Sequence, residues 1–72
     1  MNEIQLDIRG GCVAVYRGPI LNCLSGISES PRCLFYAHGY WKNDQWHVSR
    51  RNIQKARRIY RETSAVTRKE KR

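Results

Sequence analysis

Six basic side chains, Arg50, Arg51, Lys55, Arg57, Arg58 and Arg61, fall within positions 49–62, beside one acid, Glu62. Planar guanidinium forks match phosphate oxygens and guanine edges, and arginine outnumbers lysine ten to four in this chain. The chemistry on offer is recognition of a polyanion. Charge balance says the same. From residue 1 to 47, Arg9, Arg17, Arg32 and Lys42 cancel Glu3, Asp7, Glu29 and Asp44. From 48 to 72, ten bases stand against Glu62 and Glu70, so this part holds the whole net charge of +8.

A plainer account makes the stripe the wet side of a helix. Solubilising faces mix signs, however, so that pairs one turn apart stabilise them. Here Glu62 follows Arg58 in the less favourable order, and the remaining cations repel one another. Ser49 is a good N-cap, which puts Arg50 and Arg51 in the first two helical positions, where the helix dipole disfavours cations. An anion there would reverse that penalty, held by free N–H groups, the Ser49 hydroxyl and two guanidinium forks. Alternatively the helix starts a residue or two later.

The second group with chemical potential is aromatic. If residues 32–41 form one strand, alternation puts Leu34, Tyr36, His38 and Tyr40 on one face. With Asn43 and Asp44 as a turn, Tyr40 faces His47 and Trp41 faces Trp46. Tyr36, His38, Tyr40 and His47 are ring types on which single-stranded bases stack, each worth about 1–3 kcal/mol. The opposite set, Cys33, Phe35, Ala37 and Trp41 with Trp46 and Val48, reads as core. The competing account lets the helix cover the Tyr36 face and makes those rings ordinary core and rim.

Catalysis finds little support. His38, His47 and Asp44 would suit metal-independent phosphodiester cleavage, yet no nucleophile motif, glycine-rich phosphate loop or carboxylate cluster accompanies them. A non-catalytic protein is expected. The cysteines, Cys12, Cys23 and Cys33, are odd in number, and the opening MNEIQLDIRGG is unlike a secretory leader. They read as small buried hydrophobes in a reducing cytoplasm. No Cys-x-x-Cys pair seeds a metal site, and Cys33 and His38 fall on opposite faces of a continuous strand. No metal or cofactor is expected.

These groups need elements to hold them. A 72-residue chain is one domain, burying only about 60% of its unfolded surface, so a second copy of itself is a natural stabiliser. EIQLDI alternates, Gly10–Gly11 suits a tight turn, and CVAVYR is apolar on both faces and therefore central. ILNCL reads as a short strand or buried connector, and SGISESP as an exposed loop. After Ser49, Ile53, Ala56, Ile59, Tyr60 and Thr63 share one helical face, and Arg50, Arg57 and Arg61 share the far side.

The expected fold is α+β: a small antiparallel sheet of four or five strands, a β-meander, with one basic C-terminal helix packed on it. Residues 1–66 form the domain, with strands in 1–48 and helix in 49–66, and 67–72 is a disordered basic tail. The expected function is nucleic-acid binding, to DNA or RNA, with phosphates held by the six helix bases and looser contacts from Arg68 onward. Weak sequence specificity follows, since no base-reading set is visible. Membrane binding ranks last, because no apolar run nears 18 residues and the helix's modest apolar stripe has no Trp or Phe. The rival is a protein-binding effector or inhibitor on an acidic surface of a larger protein, anchored by Tyr36, Tyr40, Trp41 or Trp46. Small basic accessory proteins of phages and other mobile elements work this way, and only size and composition link this chain to them.

Overall fold

CVAVYR lies at the centre of the molecule, and its neighbours are arranged to cover it. The computed structural model describes residues 3–9 and 11–70, the side chains of 66–70 excepted. The chain is α+β, with strands β1 (Ile4–Arg9), β2 (Cys12–Arg17), β3 (Cys33–His38), β4 (Tyr40–Lys42) and β5 (Gln45–His47), followed by one helix, α1 (Arg50–Glu70). β1, β2 and β3 form an antiparallel meander with β2 in the middle, and β4 and β5 form a separate two-stranded sheet.

Val13, Ala14, Val15 and Tyr16 of β2 are completely enclosed. Because successive residues point to opposite faces, one strand must be covered twice. On one side Val13 and Val15 meet Ile4, Leu6, Phe35 and Ala37, roofed by Ala56, Ile59 and Tyr60 of α1. On the other, Cys12, Ala14 and Tyr16 are covered by Leu24 and Ile27 from the β2–β3 connection, with Cys33 and Tyr36 alongside. That connection holds no strand. It carries Leu24 inward and closes in a 3₁₀ turn at Ile27–Glu29, so part of the stretch expected as an exposed loop buries Ile27 as core.

The described residues form five strands, but not in one sheet. The expected continuous strand from Arg32 to Trp41 breaks at Gly39, which separates β3 from β4. The Gly39 N–H donates to the Gly11 carbonyl. A Cβ on Gly39 would stand 2.1 Å from the His47 carbonyl oxygen and 2.5 Å from that of Gly11. Only glycine lets three backbone segments approach this closely. The β4–β5 hairpin has the expected register, Tyr40 opposite His47 and Trp41 opposite Trp46. Its turn residues Asn43 and Asp44 both have positive φ, 53° and 60°, as a two-residue hairpin of this hand requires.

A second irregularity changes which side chains share a face. β2 pairs Val15 with Phe35 and Tyr16 with Cys33, so Leu34 is an extra residue in β3. The bulge turns Leu34 towards the helix side beside Phe35 and brings Cys33 onto the face of Tyr36 and His38. Strict alternation had placed Cys33 and Leu34 the other way round.

The helix starts where its cap places it. The Asn52 N–H donates to the Ser49 hydroxyl at 3.2 Å, and the Ile53 N–H to the Ser49 carbonyl at 3.1 Å. Ala56 is fully buried, Ile53, Ile59, Tyr60 and Thr63 partly so. α1 runs to Glu70, so residues 67–70 of the expected tail continue the helix; Arg, Lys and Glu are good helix formers, and no glycine or proline stops it. Residues 71 and 72 of that tail, and Gly10 of the first turn, lie outside the described residues. No helix among those described is long and apolar enough to cross a membrane.

Gly39→Ala should test the crowding at the break. Forcing a methyl into close-packed backbone costs about 1–3 kcal/mol. At roughly 4–8 °C per kcal/mol for a domain of this size, a thermal melt should show Tm falling by at least several degrees. An unchanged Tm would show that backbone crowding does not place the break.

Candidate functional site

Two surfaces carry the candidate residues, and the sheet stands between them. The first is the outer side of α1. Arg50, Arg51, Lys55, Arg57, Arg58 and Arg61 are all exposed. With 1.5 Å of rise per residue, the row from Arg50 to Arg61 runs about 16 Å along the helix. Arg57 and Arg61, with Gln54 and Tyr60, line a shallow groove on this side. Among the described residues Arg9 pairs with Asp7 at 3.4 Å, and none of the six helix bases has an acidic partner. Lys55 differs from the rest: its Nζ lies 5.4 Å from the centre of the Phe35 ring, an attraction that leans it back over β3. The side chain of Arg68 lies outside the described residues.

The start of α1 keeps its electrostatic oddity. Arg50 and Arg51 occupy the first two helical positions, and the first turn contains no acid. The Ser49 hydroxyl already accepts the Asn52 N–H, so it serves the helix first.

The second surface is aromatic and lies away from the helix. Tyr36 and His38 are on the face of β3 opposite Phe35 and Ala37, which meet α1. The expected row of four rings is divided. Tyr36 and His38 stay together, with the Tyr36 hydroxyl 2.9 Å from His38 Nδ1. Tyr40 and His47 stack on each other at 5.7 Å, on the side of the hairpin opposite Trp41 and Trp46. The two tryptophans, expected in the core, are 59% and 50% exposed. Their sheet ends at the Gly39 break, and neither the helix nor the β2–β3 connection covers it. Trp46 packs edge-on to His38 at 6.0 Å and to Trp41 at 5.5 Å, and its ring lies over Gly11. A continuous strip therefore runs Tyr36, His38, Trp46, Trp41. The alternation pattern put both tryptophans in the core, and they were expected at the surface only as anchors of a protein contact; Gly39, two residues before Trp41, is the sequence's hint of a break.

Beside the strip is an open pocket of ≈ 660 Å³, lined by Arg9, Cys12, Tyr36, His38 and the 22–28 segment. Its far wall is pinned by polar contacts. Arg9 donates to the carbonyls of Leu21 and Asn22, and Arg32 to those of Arg17 and Pro19. The Tyr16 hydroxyl donates to Asp7 and accepts the Leu21 N–H at 3.1 Å. Burial pushes the Tyr16 phenol up, and its bond to Asp7 adds to the rise. Burial also raises the Tyr36 phenol and the Cys33 thiol.

The groups that acid–base cleavage would need are not assembled. His47 turns to the Tyr40 side of the hairpin and bonds the Lys42 carbonyl, whereas His38 contacts Trp46 on the other side. Asp44 sits in the turn. The three cysteines are free: Cys12 buried, with its thiol donating to the Arg9 carbonyl, Cys33 half-buried and Cys23 exposed. The described residues include no group of three or more His, Cys, Asp or Glu placed to hold a metal ion. Comparisons with protein-family models, curated proteins and solved structures found no match.

Tyr16→Phe should loosen the wall of the pocket. Losing the hydroxyl strands the Leu21 N–H and removes a bond from Asp7, a cost of about 1–3 kcal/mol in denaturant unfolding. The Tyr16 pKa is raised on folding, so its share of stability is present below the ordinary phenol value of 10.0 and falls as pH rises above it. Wild type should therefore lose more stability than Tyr16→Phe between pH 9 and about 11. Parallel losses would remove Tyr16 as the group responsible.

Proposed function

We propose that this protein is a small non-catalytic nucleic-acid-binding protein that holds phosphates along the outer side of α1. One observation carries the reading: six exposed cations lie on one helix, two of them in its first turn, without an acidic partner among the described residues. Like charges at this spacing repel, and cations at a helix start cost up to about 1 kcal/mol each when exposed. A polyanion turns both costs into attraction. Nucleic acid suits the excess of arginine over lysine, since planar forks fit phosphate in two-point contacts.

Five of the six helix bases, Lys55 being held over Phe35, are free to meet phosphates. Arg68, further along the same helix, would extend the contact. A row of guanidinium groups meets phosphates whatever the sequence, so binding should be weakly specific and driven by phosphates. The rings do not border the helix, so a strand held along α1 would not stack on Tyr36 or His38 at the same time. Its three free cysteines favour a reducing cytoplasm as the place of action.

The rival, a protein-binding effector, gains one observation. Three of its four expected anchors, Tyr40, Trp41 and Trp46, are at least half exposed. Half-exposed rings of this kind are frequent interface anchors. The tryptophan side of the hairpin, opposite Tyr40, is separate from the basic side of α1, so a protein contact there does not compete with phosphates on the helix.

Fluorescence anisotropy with a labelled 20-base-pair duplex tests the proposal. Five phosphate contacts predict about a 500-fold loss of affinity between 50 and 200 mM salt. Arg57→Glu with Arg61→Glu should weaken binding and flatten the logarithmic salt slope by roughly 2. A slope shallower than about 2 in wild type, or binding that survives the double reversal, would rule the helix face out.

A further inference from the structure

The aromatic strip and the pocket beside it are unused by the helix reading. We infer that this face is a self-association surface whose occupant is a second copy of this chain, with Trp41 of each copy entering the pocket of the other. A two-fold contact brings the same patch of both copies together, so that patch must hold both a projection and a recess that receives it. This face has both. Trp41, at 59% exposure, is the projection, and the ≈ 660 Å³ recess opens beside His38 and Tyr36 in the same strip.

Charge selects the same face. Two copies that each carry +8 repel through α1. Residues 1–47, which build the strip and the pocket, have equal numbers of acids and bases. Arg9, the cation in the pocket wall, is committed to Asp7 and to the Leu21 and Asn22 carbonyls. Arg32, which lies over the Tyr16 ring, is likewise committed to the Arg17 and Pro19 carbonyls, so among the described residues this side has no row of free cations like that on α1 to oppose a second copy. With this face joined, the basic helices stay on the outside.

The hairpin supplies a third reason. β4 and β5 share only three residue pairs and are not joined to the main sheet. A lone two-stranded hairpin is at best marginally stable in water, and needs packing on another layer. In this chain its tryptophan side meets only His38 and Gly11 through Trp46, and both tryptophans stay at least half exposed. Covering Trp41 and Trp46 by a second copy removes large rings from water and steadies the hairpin.

A standard interface buries roughly 800 Å² per partner over about 20–30 residues, and a contact built on four rings and one recess involves fewer, so the dimer should dissociate in the micromolar range. Sedimentation equilibrium of the full chain, freed of nucleic acid and run from about 1 to 500 μM, tests this. The mass should rise towards two chains with concentration and persist in high salt, because the contact is made by aromatic rings and not by ion pairs. Trp41→Ala should weaken association about 30-fold, as expected for a central aromatic anchor. Far-UV circular dichroism should be unchanged, since Trp41 is exposed. His38→Glu, which sets like charges against each other across the two-fold, should act in the same direction. Arg57→Glu with Arg61→Glu should leave the dimer intact. A single-chain mass throughout, a dimer unaffected by Trp41→Ala and His38→Glu, or one lost only on reversing Arg57 and Arg61 would each overturn the inference.

Discussion

Everything in this fold depends on covering β2 twice. Val13 and Val15 point one way and Cys12, Ala14 and Tyr16 the other, and all five are buried. The second, two-stranded sheet lies beyond the Gly39 break and contributes to neither core cluster. One side is roofed by α1, through Ala56, whose small side chain lets the helix lie close on the strand. The other is closed by the β2–β3 connection, drawn in by Leu24 and Ile27 and pinned by Arg9, Arg32 and the Tyr16–Asp7 bond. Removing either cover would expose half of the core.

That constraint also divides the chemistry. Because α1 is one cover, its outer side is free along its length, and the whole positive excess of the chain belongs to α1 and the two residues after it. Because the connection is the other cover, it leaves a recess against Tyr36 and His38 instead of a flat sheet. A basic face and a neutral aromatic face thus lie on opposite sides of a thin layer. A dimer through the neutral face would present two basic helices, and joining two binding modules raises avidity without any new contact.

Local patterns made much of this legible. The alternation of EIQLDI, the doubly apolar CVAVYR, Ser49 as cap and the Asn43–Asp44 turn each act over a few residues, and each appears in the structure. What was illegible came from crowding between distant segments. Gly39 is required by the carbonyls of Gly11 and His47, which are remote in sequence from one another. Its break leaves Trp41 and Trp46 outside the core. The bulge at Leu34 depends on pairing with β2, and it moved Cys33 to the face of His38. Which face the helix covers was likewise undecided by pattern, because both sides of β2 are equally apolar. The basic stripe needed no tertiary information, since i,i+4 spacing alone defines it.

The most direct test of the central claim, that α1 is the polyanion surface and the aromatic face is not, is an amide-shift titration. The labelled protein would be titrated with short duplex DNA, single-stranded DNA and RNA at two salt concentrations. Shifts should concentrate at Arg50, Arg51, Arg57, Arg58 and Arg61 and fade at the higher salt, with Tyr36, His38 and Trp46 little changed. Shifts confined to Tyr36, His38 and Trp46, or no shifts with any of the three nucleic acids, would contradict it.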